Sequence, residues 1–280
     1  KTKLIEQMDG ILSLLSDKLQ TSVDVEFAHD GKDLYLLQCR PQSFSEDSSP
    51  AAIPKDLPGE RILFSAHRYI SNGRVPDLTH IVYVDPEKYS QLSSREELVE
   101  VGRAVGELNK LLPKRRFILI GPGRWGSRGD IKLGVNVTYS DLNNTAVLTE
   151  IARKKGNYMP DLSFGTHFFQ DLVEARIRYL PLYPDNEGNI FNEKFLLRSR
   201  NILPDIIPDY AHLADVIKLI DVPEVTGGLI LRVLMNAELN EAVGVFMEPR
   251  KETRTEGLQV EDHDLPADRY WLWRLRMAEH

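Results

Sequence analysis

Four polar residues on two neighbouring extended segments could together bind a metal ion and a phosphate. Asp24 and Glu26 alternate along SVDVEFAH, so their side chains are expected on one face of a strand. Gln38 and Arg40 alternate in the same way along KDLYLLQCR. Carboxylate and amide oxygens suit Mg²⁺, and a guanidinium suits a phosphate. The same alternation is typical of a solvated hairpin face, so the residues alone leave both interpretations open.

A glycine-rich segment, GPGRWGSRG over residues 121–129, could hold an anion. It satisfies G-x-G-x-x-G, but a dinucleotide-binding turn must open a helix and a P-loop must carry Lys followed by Ser or Thr. The glycines are followed neither by a predicted helix nor by Lys with Ser or Thr, so the sequence fits neither of these standard sites. A looser site remains, in which Gly123 and Gly126 expose backbone N–H groups while Arg124 and Arg128 supply charge. The alternative is a purely structural turn in which Trp125 packs inward as the anchor.

The segment SFGTHFFQDL contains a histidine and a carboxylate at helical spacing. His167 and Asp171 are four residues apart, so they share one face of the short helix predicted over residues 166–175. The pair could do acid–base chemistry or bind a metal, or it could simply cap or brace the helix. We expect His167 to share a pocket with Arg124 or Arg128 if this helix abuts the glycine-rich segment.

The elements that must position these residues follow from periodicity and turn signals. Residues 4–19 have the apolar spacing of a helix, and Asp30-Gly31 predicts a hairpin between the two segments that follow. A stretch rich in Pro and Ser over residues 43–59 predicts a linker. Beyond it, residues 60–250 alternate strand-like and helical patterns, and residues 251–280 form a tail.

The second region is predicted to be a mixed-sheet α/β domain, with α+β as the alternative class. A capping box of Ser94 and Glu97 predicts the start of an amphipathic helix. Phe117–Ile120 should be a strand that ends at the glycine-rich segment. The other predicted strands are RILFSA, HIVYVD, LGVNVTYS, TAVLTEIA, IRYLPLYP and VIKLIDV, with a hairpin in LILRVLMNAELNEAVGVFMEP. For TAVLTEIA a helix is the alternative.

The hairpin sequence VDVEFAHDGKDLYLLQCRPQ resembles the end of the ATP-grasp, PEP/pyruvate-binding domain of phosphoenolpyruvate synthase and pyruvate phosphate dikinase. In that family a D-x-E strand is followed by a Q-x-R-P strand. The positions that match are Asp24, Glu26, Gln38, Arg40 and Pro41. The resemblance implies that Glu26 and Gln38 bind Mg²⁺ and that Arg40 binds the phosphates of ATP. It covers residues 1–42, which are expected to be a remnant of an ATP-grasp subdomain.

Other parts of that family have no counterpart in this sequence. These are the lysine and arginine that complete the ATP site, the phosphohistidine domain and the barrel that handles pyruvate. Residues 60–250 contain the stretches IVYVDPEKY, GPGRWGS, LGVNVTYSD and SFGTHFFQDLVEA. Through these stretches they resemble the C-terminal region of bacterial phosphoenolpyruvate synthase-like proteins, whose activity is undefined. The resemblance implies a C-terminal fragment of an ATP-dependent phosphotransferase that is inactive alone. The alternative is a nucleotide- or phosphometabolite-binding module without catalysis.

Composition narrows the expected partners. The net charge of −7 argues against a general nucleic-acid binder, which needs a basic surface to displace counterions. A single cysteine, Cys39, excludes an internal disulfide and suits a reducing cytoplasm. No apolar run reaches the roughly 18 residues of a membrane span. We therefore expect a cytoplasmic protein that binds a nucleotide or phosphorylated small molecule but neither nucleic acid nor membrane, with a homodimer left open.

Overall fold

The computed structural model describes residues 3–19, 23–41, 49–127, 131–153 and 162–250. The chain divides into two compact units, a first unit of Lys1–Ser48 and a larger unit of Ser49–His280. Two features predicted from the sequence, Arg128 and the tail over residues 251–280, lie outside the described residues. None of the helices in the described ranges is long and apolar enough to cross a bilayer.

The first unit consists of a helix and a hairpin, as predicted. Helix α1 spans Lys3–Leu19, and the antiparallel strands β1 (Val23–His29) and β2 (Leu34–Pro41) follow it. Asp30 closes the turn because its Oδ1 accepts hydrogen bonds from two backbone N–H groups just beyond it, at 2.9 and 2.7 Å. Gly31 takes a φ of +95°, a backbone conformation that favours glycine.

The larger unit contains eight strands and six helices within the described ranges. Its strands are β3 (Ile62–Ala66), β4 (His80–Val84), β5 (Phe117–Pro122), β6 (Val147–Ile151), β7 (Arg178–Leu182), β8 (Ile217–Asp221), β9 (Ile230–Asn236) and β10 (Glu241–Met247). Its helices are α2 (Pro86–Gln91), α3 (Arg95–Leu111), α4 (His167–Glu174), α5 (Glu193–Arg198), α6 (Leu203–Ile206) and α7 (Val222–Thr226). Short 3₁₀ turns occupy Gly59–Arg61, Tyr139–Asp141 and Pro208–Leu213.

Two sheets build this unit. The larger has the order β7-β6-β5-β4-β8, in which β4 to β7 run parallel and β8 is antiparallel to β4. The smaller is antiparallel, in the order β3-β10-β9. The central strands are buried on both faces, which explains their continuous apolar sequences. This mixed sheet with helices confirms the predicted α/β class.

Alternate residues of the central strands enter two separate cores. Leu119 and Leu148 face one core together with α3, whose start is fixed by the predicted capping box of Ser94 and Glu97. Ile118 and its neighbours on the opposite face enter a second core with residues of β3, β9 and β10. The large sheet is therefore a middle layer between helices and the small sheet.

The structure corrects one predicted strand. Residues 133–140, LGVNVTYS, form a loop that leads into the 3₁₀ turn Tyr139–Asp141. The hydroxyl of Tyr89 lies 2.7 Å from the carbonyl oxygen of Ile131 and 3.0 Å from that of Gly134, and it can donate its single hydrogen to either, so a side chain here takes the place of a neighbouring strand. A Cβ at Gly134 would lie 2.4 Å from the carbonyl oxygen of Arg124, which shows how closely two backbone segments approach here.

The described part of the predicted linker, residues 49–58, has no helix or strand, but it is not detached. Ala51 donates its N–H to the carbonyl of Met235 at 2.9 Å and accepts a bond from the Asn236 amide at 3.0 Å. Ile53 and Leu57 pack against a small apolar cluster that includes Val245. This stretch therefore belongs to the larger unit.

Candidate functional site

The register of the β1–β2 hairpin places the four predicted ATP-site residues in two cross-strand pairs. Asp24 is opposite Arg40, and Glu26 is opposite Gln38. Opposed residues on antiparallel strands have Cβ atoms about 5 Å apart. The side chains of Glu26 and Gln38 are half-buried. The register shifts immediately after Glu26, and such bulges commonly redirect the neighbouring side chain.

The donor types of this hairpin fit a hard cation. Glu26 and Gln38 offer a carboxylate and an amide oxygen from directly opposed positions, and Mg²⁺ takes oxygen ligands of both kinds. Within the described ranges, no group of three or more His, Cys, Asp or Glu residues is placed to hold a metal ion. The hairpin alone thus supplies about two ligands, fewer than the six that Mg²⁺ requires.

A cleft of about 930 Å³ lies beside the C-terminal end of β5 in the larger unit. Its lining comes from the segment Arg124–Ser127, the segment 137–140 and the start of α4. His167 and Asp171 both line it, so the structure brings the predicted histidine and Arg124 to one cleft. The carboxyl ends of parallel strands are where α/β sheets commonly bind ligands.

The backbone donors of the glycine-rich segment are used inside the protein. Gly123 donates its N–H to the carbonyl of Ile151 at 3.2 Å, and Gly126 donates to the carbonyl of Val135 at 3.0 Å. These two amides, expected to face a ligand, therefore have acceptors within the protein, and their role in binding stays a prediction. An anion in the cleft would have to be held by side chains, chiefly Arg124, and by the first turn of α4.

The glycine spacing of this segment reflects close packing. Gly126 has a φ of +69°, and a Cβ there would lie 2.6 Å from the ring of Phe168. A Cβ at Gly121 would lie 2.6 Å from the indole of Trp125, which is only 1% exposed. Trp125 is thus the inward-facing anchor that the sequence predicted for this turn.

Sequence reasoning missed Glu150, the buried carboxyl group at the centre of this region. Glu150 lies on β6 with 0% exposure. Its Oε1 accepts from the N–H of Trp125 at 2.9 Å, and its Oε2 accepts from the N–H of Ser163 at 2.7 Å and from the Tyr179 hydroxyl at 2.7 Å. Burial raises the pKa of Glu150 to about 7, although these hydrogen bonds lower it in part.

The partners of Glu150 connect the cleft to helix α4. Thr166 caps α4, because its Oγ1 accepts from the N–H of Phe169 at 3.3 Å and donates to the carbonyl of Ser163 at 2.6 Å. The ring of Phe169 meets that of Tyr179 edge-on, with centroids 5.3 Å apart. The buried carboxyl of Glu150 therefore contacts Trp125, which follows Arg124, and Ser163, which accepts the bond from the cap of α4.

Several groups of the cleft could bind an oxyanion, although Asp171 adds a carboxylate to the same lining. Arg124 supplies a guanidinium, and the first turn of α4 supplies N–H groups and the positive end of a helix dipole. His167, on that turn, is exposed to the cleft. Thr138, Tyr139 and Ser140 form another part of the lining.

These features define an α/β protein with two candidate sites, one in each unit. Residues 1–61 match the family model of the pyruvate phosphate dikinase, AMP/ATP-binding domain. This match includes the hairpin and ends before the first strand of the larger unit, and it supports nucleotide binding of the dikinase type for this segment. No curated protein matches the chain, and no solved structure matches it.

Proposed function

We propose that this chain is the C-terminal part of a phosphoenolpyruvate synthase-like, ATP-dependent phosphotransferase, and that its hairpin forms one wall of the Mg²⁺–ATP site. The observation that carries the proposal is the pairing of Asp24 with Arg40 and of Glu26 with Gln38, in a segment that matches a dikinase AMP/ATP-binding domain. Such a protein would act in the cytoplasm.

Each residue of the hairpin has a role that suits phosphoryl transfer. This reaction needs the phosphates to be positioned and their charge neutralised more than it needs covalent help from the protein. Glu26 and Gln38 would orient the metal through one charged and one neutral oxygen. Arg40 would bind a phosphate through paired, charge-assisted hydrogen bonds, and Asp24 is a further proposed residue of the ATP site. ATP with Mg²⁺ supplies the phosphoryl group.

This wall is insufficient for catalysis by itself. Two oxygen ligands and one guanidinium do not surround a triphosphate, so the remaining ligands and cations must come from outside these residues. We expect the purified chain neither to hydrolyse ATP nor to form phosphoenolpyruvate. Steady turnover that is abolished by Glu26→Ala would refute the interpretation as a fragment.

Calorimetric titration of the chain with ATP, with and without Mg²⁺, tests the wall. We expect weak binding that requires Mg²⁺ and that Glu26→Gln weakens by roughly tenfold, the loss typical of one charged contact. Asp33→Asn is the matched control, since it removes one carboxylate from the turn of the same hairpin, where Asp33 is exposed. Equal effects of the two substitutions would contradict a specific role for Glu26.

The cleft supports a second candidate function, the binding of a nucleotide or phosphorylated metabolite without turnover. The supporting observation is a cleft of about 930 Å³ that contains Arg124, His167 and the first turn of α4. This volume lies in the range of small-molecule sites. Any contribution of Gly123, Gly126 and Arg128 to this site also belongs to the proposal.

Titration with inorganic sulfate, followed by amide chemical shifts, tests the cleft. We expect Arg124→Gln to weaken binding by about tenfold or more, because a charge-assisted contact is lost. Arg103→Gln removes the same charge from the exposed surface of α3 and should change little. A similar loss in both variants would reduce the effect to net charge and would refute a site at Arg124.

A further inference from the structure

One hydroxyl group bridges Glu150 and the backbone of Trp125. The Oγ of Ser163 lies 2.5 Å from Oε1 of Glu150 and 2.9 Å from the carbonyl oxygen of Trp125. A serine hydroxyl has a single hydrogen, so it can donate to only one of these two oxygens. Both contacts are hydrogen bonds at the same time only when Glu150 carries a proton and donates it to Ser163.

Ionisation of Glu150 would break this chain. The Ser163 hydroxyl would then donate to the carboxylate, and the carbonyl oxygen of buried Trp125 would lose its donor, which is unfavourable in the interior. Ionisation would also place a negative charge directly behind the segment that lines the cleft. Each effect makes the ionised form less suited to an anionic ligand.

The groups that hydrogen-bond to Glu150 are all uncharged. The titratable groups near it on the neighbouring strand and its extension are the phenols of Tyr179 and Tyr183, and the guanidinium of Arg68 lies 5.0 Å from the centre of the Tyr183 ring. The loop contributes the backbone of Trp125, and the segment before α4 contributes Ser163. Burial raises the pKa of Tyr179 above its usual range, so this group is neutral at physiological pH.

We propose that Glu150 is the positioning residue of the cleft, and that a proton on its carboxyl group holds Trp125 and Arg124 in the arrangement that binds an oxyanion. The inference rests on the second proposed function, binding of a phosphorylated ligand in the cleft. By linkage, binding of the anion takes up a proton at Glu150, and the affinity decreases as Glu150 ionises. Glu150 acts through the loop and does not touch the ligand.

The test is the pH profile of sulfate binding, because sulfate keeps its charge across the relevant range. With ionisation of Glu150 centred near pH 7, the wild-type affinity should decrease by about tenfold between pH 6 and pH 8. Glu150→Gln should flatten this profile in either orientation of its amide, because an amide cannot ionise. Any effect of His167 is common to both proteins and cancels in the comparison.

Thr149→Val is the matched control for loss of a buried polar group. Thr149 precedes Glu150 on β6, is fully buried, and its hydroxyl has no hydrogen-bond partner among the described residues. This variant should keep the wild-type pH profile. If Glu150→Gln keeps that profile as well, the inference is wrong although the cleft binds anions. If sulfate binds at no pH, the second proposed function fails and the inference fails with it.

A measurement on the wild-type protein covers the case in which Glu150→Gln does not fold. The Trp125 N–H donates to Oε1 of Glu150, so its amide chemical shift reports the ionisation of that carboxyl. We expect this signal to titrate, with a midpoint that rises when sulfate saturates the cleft. A midpoint that sulfate leaves unchanged would overturn the coupling.

Discussion

Replacement of Glu150 by Gln should change how the stability of the larger unit depends on pH. The unfolded carboxyl ionises near pH 4.5 and the folded one near pH 7, so the folded state binds more protons between these values. The contribution of Glu150 is therefore fully present below pH 4.5 and is lost as the pH rises to 7. At about 1.4 kcal/mol per pH unit, the loss totals roughly 3 kcal/mol.

The substitution also has a cost that does not depend on pH. Glu150 accepts hydrogen bonds from two backbone N–H groups, one at each oxygen. Gln has a single acceptor oxygen, so its NH₂ group must face the N–H of either Trp125 or Ser163. One buried donor is left without an acceptor, at about 1–3 kcal/mol. Glu150→Gln should thus be less stable than wild type at pH 5 and should approach or exceed it at pH 8.

Urea unfolding at half-unit intervals from pH 5 to pH 8 measures this crossing. The control is Glu238→Gln, the same chemical change at an exposed position. Its difference from wild type should stay within about 0.5 kcal/mol at every pH. A constant difference between Glu150→Gln and wild type across the range would refute a buried carboxyl that is protonated near neutrality.

Two other substitutions test the packing of the larger unit. Gly126→Ala should destabilise it by at least about 1 kcal/mol more than Gly165→Ala. Both glycines have positive φ, but only at Gly126 would an added Cβ meet a side chain, the ring of Phe168. Equal urea midpoints of the two variants would refute this packing. Asp77→Asn should cost about 3 kcal/mol at pH 7, since Asp77 accepts two bonds of 3.0 Å from Arg232. Burial raises the pKa of Asp77, but the hydrogen bonds and charge of Arg232 outweigh burial, so the net shift of the pKa is downward. The destabilisation by Asp77→Asn should therefore decrease below pH 3.8, where the wild-type carboxylate begins to be protonated. A destabilisation that stays the same at low pH would contradict the ion pair.

The sequence predicted the elements whose signals are local. The capping box of Ser94 and Glu97 is formed by residues three apart, and the turn at Asp30 by residues within a few positions. The buried central strands were recognisable because apolar side chains on both faces give continuous apolar runs. The segment LGVNVTYS was wrongly predicted to be a strand because its apolar residues alternate with polar ones. Alternation alone does not reveal that the hydroxyl of Tyr89, 45 residues before Gly134, contacts the carbonyl oxygen of Gly134.

The candidate site was predictable only where its residues are neighbours in sequence or in one hairpin. The pairing of Glu26 with Gln38 also depends on the register shift next to Glu26, because the register set at the turn would place Leu37 opposite Glu26. Glu150 was missed because its partners Ser163 and Tyr179 lie 13 and 29 residues away. The one local signal was an acid within the apolar strand TAVLTEIA, where a charged residue is rarely buried. The glycine pattern indicated a tight turn but could not show which carbonyls accept its N–H groups.

The most direct test of the central proposal locates the metal on the hairpin. Mn²⁺ can replace Mg²⁺ at oxygen sites and broadens the NMR signals of nearby nuclei. When Mn²⁺ and ATP are added together to the chain, we predict that broadening is strongest at the amides of Glu26 and Gln38 and that Glu26→Gln removes it. Broadening that is strongest outside the hairpin, or that persists in Glu26→Gln, would contradict a Mg²⁺–ATP wall on these strands.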